Sequence, residues 1–113
     1  MTEETKTLLE IMLAADRFCC VVDERLRNIA TSAEIEELRL KLSQVRNFLD
    51  ALQVLHNRDE LTLETPFVRG LFRQLGIALM WTAFYGRGFI DRRLYRAMVM
   101  VESSFTFLLE QRT

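Results

Sequence analysis

The chain has 113 residues, half of them hydrophobic, with 15 Lys and Arg against 16 Asp and Glu. That length suits one buried core and not two. With only four Gly and one Pro, the composition excludes disordered, collagen-like and low-complexity classes, and a net charge of −1 supplies no field that would draw the whole protein onto nucleic acid or an anionic membrane.

The charge is unevenly placed. Residues 1–65 carry 13 acids against 8 bases, whereas residues 66–113 carry 7 arginines against 3 acids. Two readings follow: the halves pair within a protomer or across a dimer, or Arg69, Arg73, Arg87, Arg92, Arg93 and Arg96 form a patch for an acidic partner surface. The opening Met-Thr-Glu-Glu-Thr-Lys has neither the basic nor the apolar segment of a secretory signal, so a cytoplasmic protein is expected. The longest apolar stretch, Leu75 to Tyr85, falls short of the roughly 20 residues that cross a bilayer, and no membrane association is expected.

An all-α, compact four-helix protein is predicted, a single domain over 1–113 with helices near 3–30, 32–56, 66–85 and 91–111. Thr2 can cap the first helix, with Glu3 and Glu4 at the positive end of its dipole. Leu8, Ile11, Ala15, Phe18, Val22 and Ile29 then carry a 3-4 stripe. The adjacent Cys19 and Cys20 diverge by about 100° on a helix and read as small core residues.

Thr31-Ser-Ala-Glu34 reads as a capping box opening the second helix. Its stripe Ile35, Leu38, Leu42, Val45, Leu49 and Leu52 alternates steps of three and four, the pattern of a bundle or coiled-coil seam. The polar run Asn57-Arg-Asp-Glu-Leu-Thr-Leu-Glu-Thr65 is the main connection, with room for an extended arm. Thr65-Pro66 starts the third helix. Gly70 and Gly76 within it suggest close backbone approach or a bend, and Gly86-Arg-Gly88 ends it by a left-handed cap. Asp91 is the expected cap of the fourth helix, stapled by Ile90 and Tyr95, with the stripe Leu94, Met98, Val101, Phe105 and Leu108.

Catalysis needs a nucleophile with a base, a tuned carboxylate pair or a metal cluster, and none is visible. His56, the single histidine, reads as a solvated residue at a helix end, which leaves no His-rich zinc site. Cys19 lies in the core pattern with no cation nearby in sequence to lower its pKa. Gly86-Arg-Gly88 lacks the preceding strand and further glycine of a dinucleotide fingerprint. No enzyme, metal or cofactor is therefore expected.

Helices of about 25 residues are twice the average length, and a monomer this short has difficulty covering them. A homodimer is expected, with Ile35, Leu38, Leu42, Val45, Leu49 and Leu52 as a self-complementary seam about a two-fold axis. Phe67, Phe72, Trp81, Phe84 and Tyr85 stand beside Arg69 and Arg73 and belong to the types enriched at binding hot spots. Trp81 and Phe84 are read as core, while Phe67 and Phe72 are open to core or interface.

The segments Thr7-Leu-Leu-Glu-Ile-Met-Leu-Ala-Ala-Asp-Arg-Phe-Cys-Cys20 and Leu94-Tyr-Arg-Ala-Met-Val-Met-Val-Glu-Ser-Ser-Phe105, together with the length and helical texture, give a chain that resembles the small bacterial quorum-sensing antiactivators. The resemblance implies a homodimer that binds the ligand-binding domain of a LuxR-type transcription activator such as LasR and prevents that activator from dimerising and engaging DNA. Under it, Phe67, Leu71 and Phe72 are expected as anchors, and Arg69 and Arg73 as the charges that set orientation. The alternatives are a helical DNA-binding repressor using Arg92, Arg93 and Arg96, and a structural or chaperone-like adaptor.

Overall fold

The computed structural model describes residues 2–86 together with 88, 92, 95, 96 and 99, and these residues hold three helices and no strand. The helices are α1 (Glu3–Leu26), α2 (Ala33–Asn57) and α3 (Pro66–Gly86). The fourth helix expected over 91–111 lies outside the described residues except for Arg92, Tyr95, Arg96 and Val99, which are helical. None of the described helices is long and apolar enough to cross a membrane.

At the start of α1, the Thr2 hydroxyl accepts the Thr5 N–H at 3.1 Å, as expected of a cap. The helix closes at Leu26, four residues before the predicted end. There the Arg27 N–H turns back to the Glu24 carbonyl, and the Leu26 carbonyl accepts from Ile29 N–H at 3.3 Å and from Arg39 Nη2 of α2 at 3.4 Å. These donors satisfy a terminal carbonyl that a longer helix would have used internally, and Ile29 is left exposed.

The cap of α2 is Ser32, not Thr31: the Ser32 hydroxyl accepts the Ile35 N–H at 3.3 Å. Glu34 then falls at the second helical position, where it complements the dipole, and not at the third, where a reciprocal box requires it. At its other end α2 closes in a Schellman motif: Glu60 N–H donates to the Leu55 carbonyl at 2.8 Å and Asp59 N–H to that of His56 at 3.0 Å. The residue that takes the left-handed turn is Asp59, with φ of 59°. α3 ends at Gly86, and the left-handed cap expected at Gly86-Arg-Gly88 turns on Arg87, outside the described residues.

One hydrophobic cluster joins all three helices. Its centre is α2, which packs most extensively on α3 and also on α1. The connection contributes to it: Leu61 and Leu63 are buried on either side of half-buried Thr62, and the Leu63 N–H lies 3.5 Å from Glu4 Oε2. The two leucines press the connection onto the molecule, where the chain turns at Leu63 instead of running as the extended arm the sequence left room for. An ion pair between Arg46 and Asp23 adds a polar tie between α2 and α1.

Two expectations are corrected here. The six residues assigned to a dimer seam, Ile35, Leu38, Leu42, Val45, Leu49 and Leu52, are all buried within the single chain, so their apolar surface is already covered by intramolecular packing. The second concerns Gly70, where the sequence suggests close backbone approach or a bend, and the first of these does not hold. A Cβ added there meets nothing within 4 Å, so the glycine opens onto free space.

Because a left-handed backbone strains any residue with a Cβ, Asp59→Gly should stabilise the fold by about 0.5–1 kcal/mol, and Asp59→Val should destabilise it by at least as much. Urea melting of the two variants beside the parent measures both signs.

Candidate functional site

Among the described residues α3 is the most apolar helix, and it carries two 3-4 stripes at once. One stripe, Val68, Phe72, Leu75, Leu79 and Thr82 with Ala78 and Ala83, is buried against the core. The buried Thr82 hydroxyl is satisfied by donating to the Ala78 carbonyl at 2.7 Å.

The other face points outward. Phe67 is 65 % exposed, Ile77 51 %, Met80 46 %, Trp81 48 % and Phe84 51 %. An aromatic side chain carries roughly 150–250 Å², so this face leaves several hundred Å² of apolar surface in water. The largest apolar patch on a typical monomer has about that area and often serves a function.

The aromatic end of the face is organised. Trp81 meets Phe84 edge-on with centroids 6.0 Å apart and lies tilted to Tyr85 at 5.9 Å, and Phe84 meets Tyr85 edge-on at 5.6 Å. Lys41 of α2 places its ammonium 5.9 Å from the Trp81 ring and 5.7 Å from the Tyr85 ring, while also pairing with Glu37 at 3.6 Å. Residues 66–86 contain Arg69 and Arg73 and no carboxylate. The surface is apolar with positive edges, suited to an apolar or acidic partner face.

Of the five residues expected to bind a partner, four sit where contact is possible: Phe67 and Arg73 are exposed, and Arg69 and Leu71 are half-buried. Phe72 is fully buried and is a core residue, which corrects its assignment as an anchor. Trp81 and Phe84, read from the sequence as core, instead face outward. Arg92 and Arg96 of the arginine patch are exposed, and Arg87 and Arg93 lie outside the described residues.

A second, smaller feature is an open groove of about 410 Å³ between α1 and α2, lined by Leu9, Met12, Leu13, Asp16, Leu49, Asp50 and Gln53. Among the described residues no group of three or more His, Cys, Asp or Glu could hold a metal ion.

The cysteines differ in kind. Cys19 is buried, and burial pushes its thiol up to about 12 from 9.0, which keeps it protonated and unreactive. Cys20, expected in the core, is exposed. Because the folded protein holds the Cys19 proton more tightly than the unfolded chain does, the stability this thiol contributes is complete below pH 9.0 and is lost as pH rises towards 12. At pH 8, an aromatic disulfide reagent should therefore label one thiol rapidly in the native protein and both in denaturant. Mass mapping should place the fast label on Cys20.

A scan against protein-family models, a search of curated proteins and a search of solved structures each return no significant match.

Proposed function

We propose that the chain is a non-enzymatic regulatory protein of the bacterial cytoplasm. In this reading it is a quorum-sensing antiactivator, homodimeric when alone, that binds the ligand-binding domain of a LuxR-type activator and blocks its dimerisation and DNA binding. The observation that carries the reading is the outward face of α3, where half-exposed large side chains run beside Arg69 and Arg73 with no carboxylate in the helix. Supporting it is the resemblance of residues 7–20 and 94–105 to such antiactivators. An activator that dimerises through an apolar helical face can have that face occupied by a foreign helix of the same character. Phe67 serves as the anchor, while Arg69 and Arg73 pair with acidic groups at the rim and select orientation. Leu71, packed partly on the core, fixes the backbone from which Phe67 projects.

A second reading, a DNA-binding repressor, rests on Arg92 and Arg96, both exposed and four residues apart. Binding to duplex DNA that falls steeply with salt would favour it over antiactivation.

Phe67 and Phe72 separate binding from folding. Phe67→Ala should weaken the complex with the activator's ligand-binding domain by about 2 kcal/mol or more, roughly thirtyfold in Kd, with the melting temperature unchanged. Phe72→Ala, which opens a cavity in the core, should cost about 3–5 kcal/mol of folding stability. Titration calorimetry and thermal melting on both variants test the assignment. Parental affinity in Phe67→Ala removes this site from the activator interface.

A further inference from the structure

The outward positions of α3 follow a strict heptad. Phe67, Gly70, Gln74, Ile77, Trp81 and Phe84 are spaced three, four, three, four and three residues apart, and all six are exposed or half-exposed. Four of the six, Phe67, Ile77, Trp81 and Phe84, are large and apolar at the spacing by which one helix packs along another. We infer that the helix occupying this row is α3 of a second copy, packed antiparallel about a two-fold axis. This deepens the homodimer part of the proposed function by assigning it a surface.

The register argues for itself. In an antiparallel pair each layer joins two seam positions whose numbers add to a constant, and one choice aligns all six. Phe67 then meets the partner's Phe84, Gly70 meets the partner's Trp81, Gln74 meets the partner's Ile77, and the two-fold repeats these three. The bulkiest side chain of the seam is set against the position with no side chain, where a Cβ would meet nothing within 4 Å. Parallel pairing fails on the same residues: it sets glycine on glycine, leaving a void, and tryptophan on tryptophan, overpacking the layer.

Charge agrees with geometry. Arg73, at the flanking position, faces the partner's Met80 and not its own copy, so no like charges meet. The two Gln74 amides lie close to the axis, where a polar seam residue fixes register. The seam from Phe67 to Phe84 runs about 26 Å along the helix. Because Phe67 lies in both contacts, the activator and the second copy compete for the face.

Sedimentation equilibrium tests the seam with a steric swap. The parent should dimerise. Gly70→Trp should weaken self-association at least about tenfold by placing Trp against Trp, and its fold should be unaffected because the site is open. Adding Trp81→Ala to Gly70→Trp should restore the dimer by returning one bulky residue to each layer. Circular dichroism checks that helicity is constant across the series. A monomeric parent overturns the inference together with the homodimer reading. A Gly70→Trp protein that dimerises like the parent, or a double variant no better than Gly70→Trp, overturns the seam and leaves a homodimer through another face.

Discussion

The structure depends on how the single apolar stripe of α2 is used. Ile35, Leu38, Leu42, Val45, Leu49 and Leu52 form a narrow row on the helix against which both α1 and α3 pack. Burying the row contributes on the order of 10 kcal/mol at about 1.5–3 kcal/mol per large aliphatic side chain, before the entropy of ordering is subtracted. Because the row is filled from within the chain, these six side chains are not free to serve as a seam to another molecule. Among the described residues, the largest group of exposed apolar side chains lies on the far side of α3, where Phe67, Ile77, Met80, Trp81 and Phe84 stand half in water.

The polar details serve the same arrangement. Arg39 caps the last carbonyl of α1, the Arg46–Asp23 pair ties α1 to α2, and Leu63 is held beside Glu4 at the first turn of α1. Each of these contacts crosses from one element to another, and each fixes the position of α1 against α2 or the connection without adding chemistry. The buried thiol of Cys19 contributes volume, and its burial outweighs the lowering pull of Arg46, so it stays protonated and is no nucleophile. What distinguishes this surface is apolar area and positive charge.

Local signals were legible in the sequence. The Thr2 cap, the start at Pro66 and the stripe of α2 are dictated by neighbouring residues, and the helices follow them closely. Long-range choices were not. The α2 stripe reads the same whether a helix of the same chain or of another covers it, and only the burial of all six side chains decides. In α3 the rows through Phe72 and through Trp81 are both apolar and both at helical spacing, so periodicity could not say which faces inward. That ambiguity put Phe72 on the surface and Trp81 and Phe84 in the core. Leu61-Thr-Leu63 carries a period of two over only three residues, too short to mark a buried segment, and Asp59 takes a turn that composition assigns to glycine.

The central claim is that the outward face of α3 is where this protein meets its partners. Trp81, the single tryptophan of the chain, stands at the aromatic end of that face and reports on it directly. The most direct measurement is its emission and its quenching by acrylamide, followed as the protein is concentrated and as the ligand-binding domain of a LuxR-type activator is added, with a tryptophan-free variant of that domain. Occupation of the face predicts a shift of emission to shorter wavelength and protection from the quencher in step with complex formation. Complexes that form while Trp81 remains fully quenchable and unshifted would contradict the account.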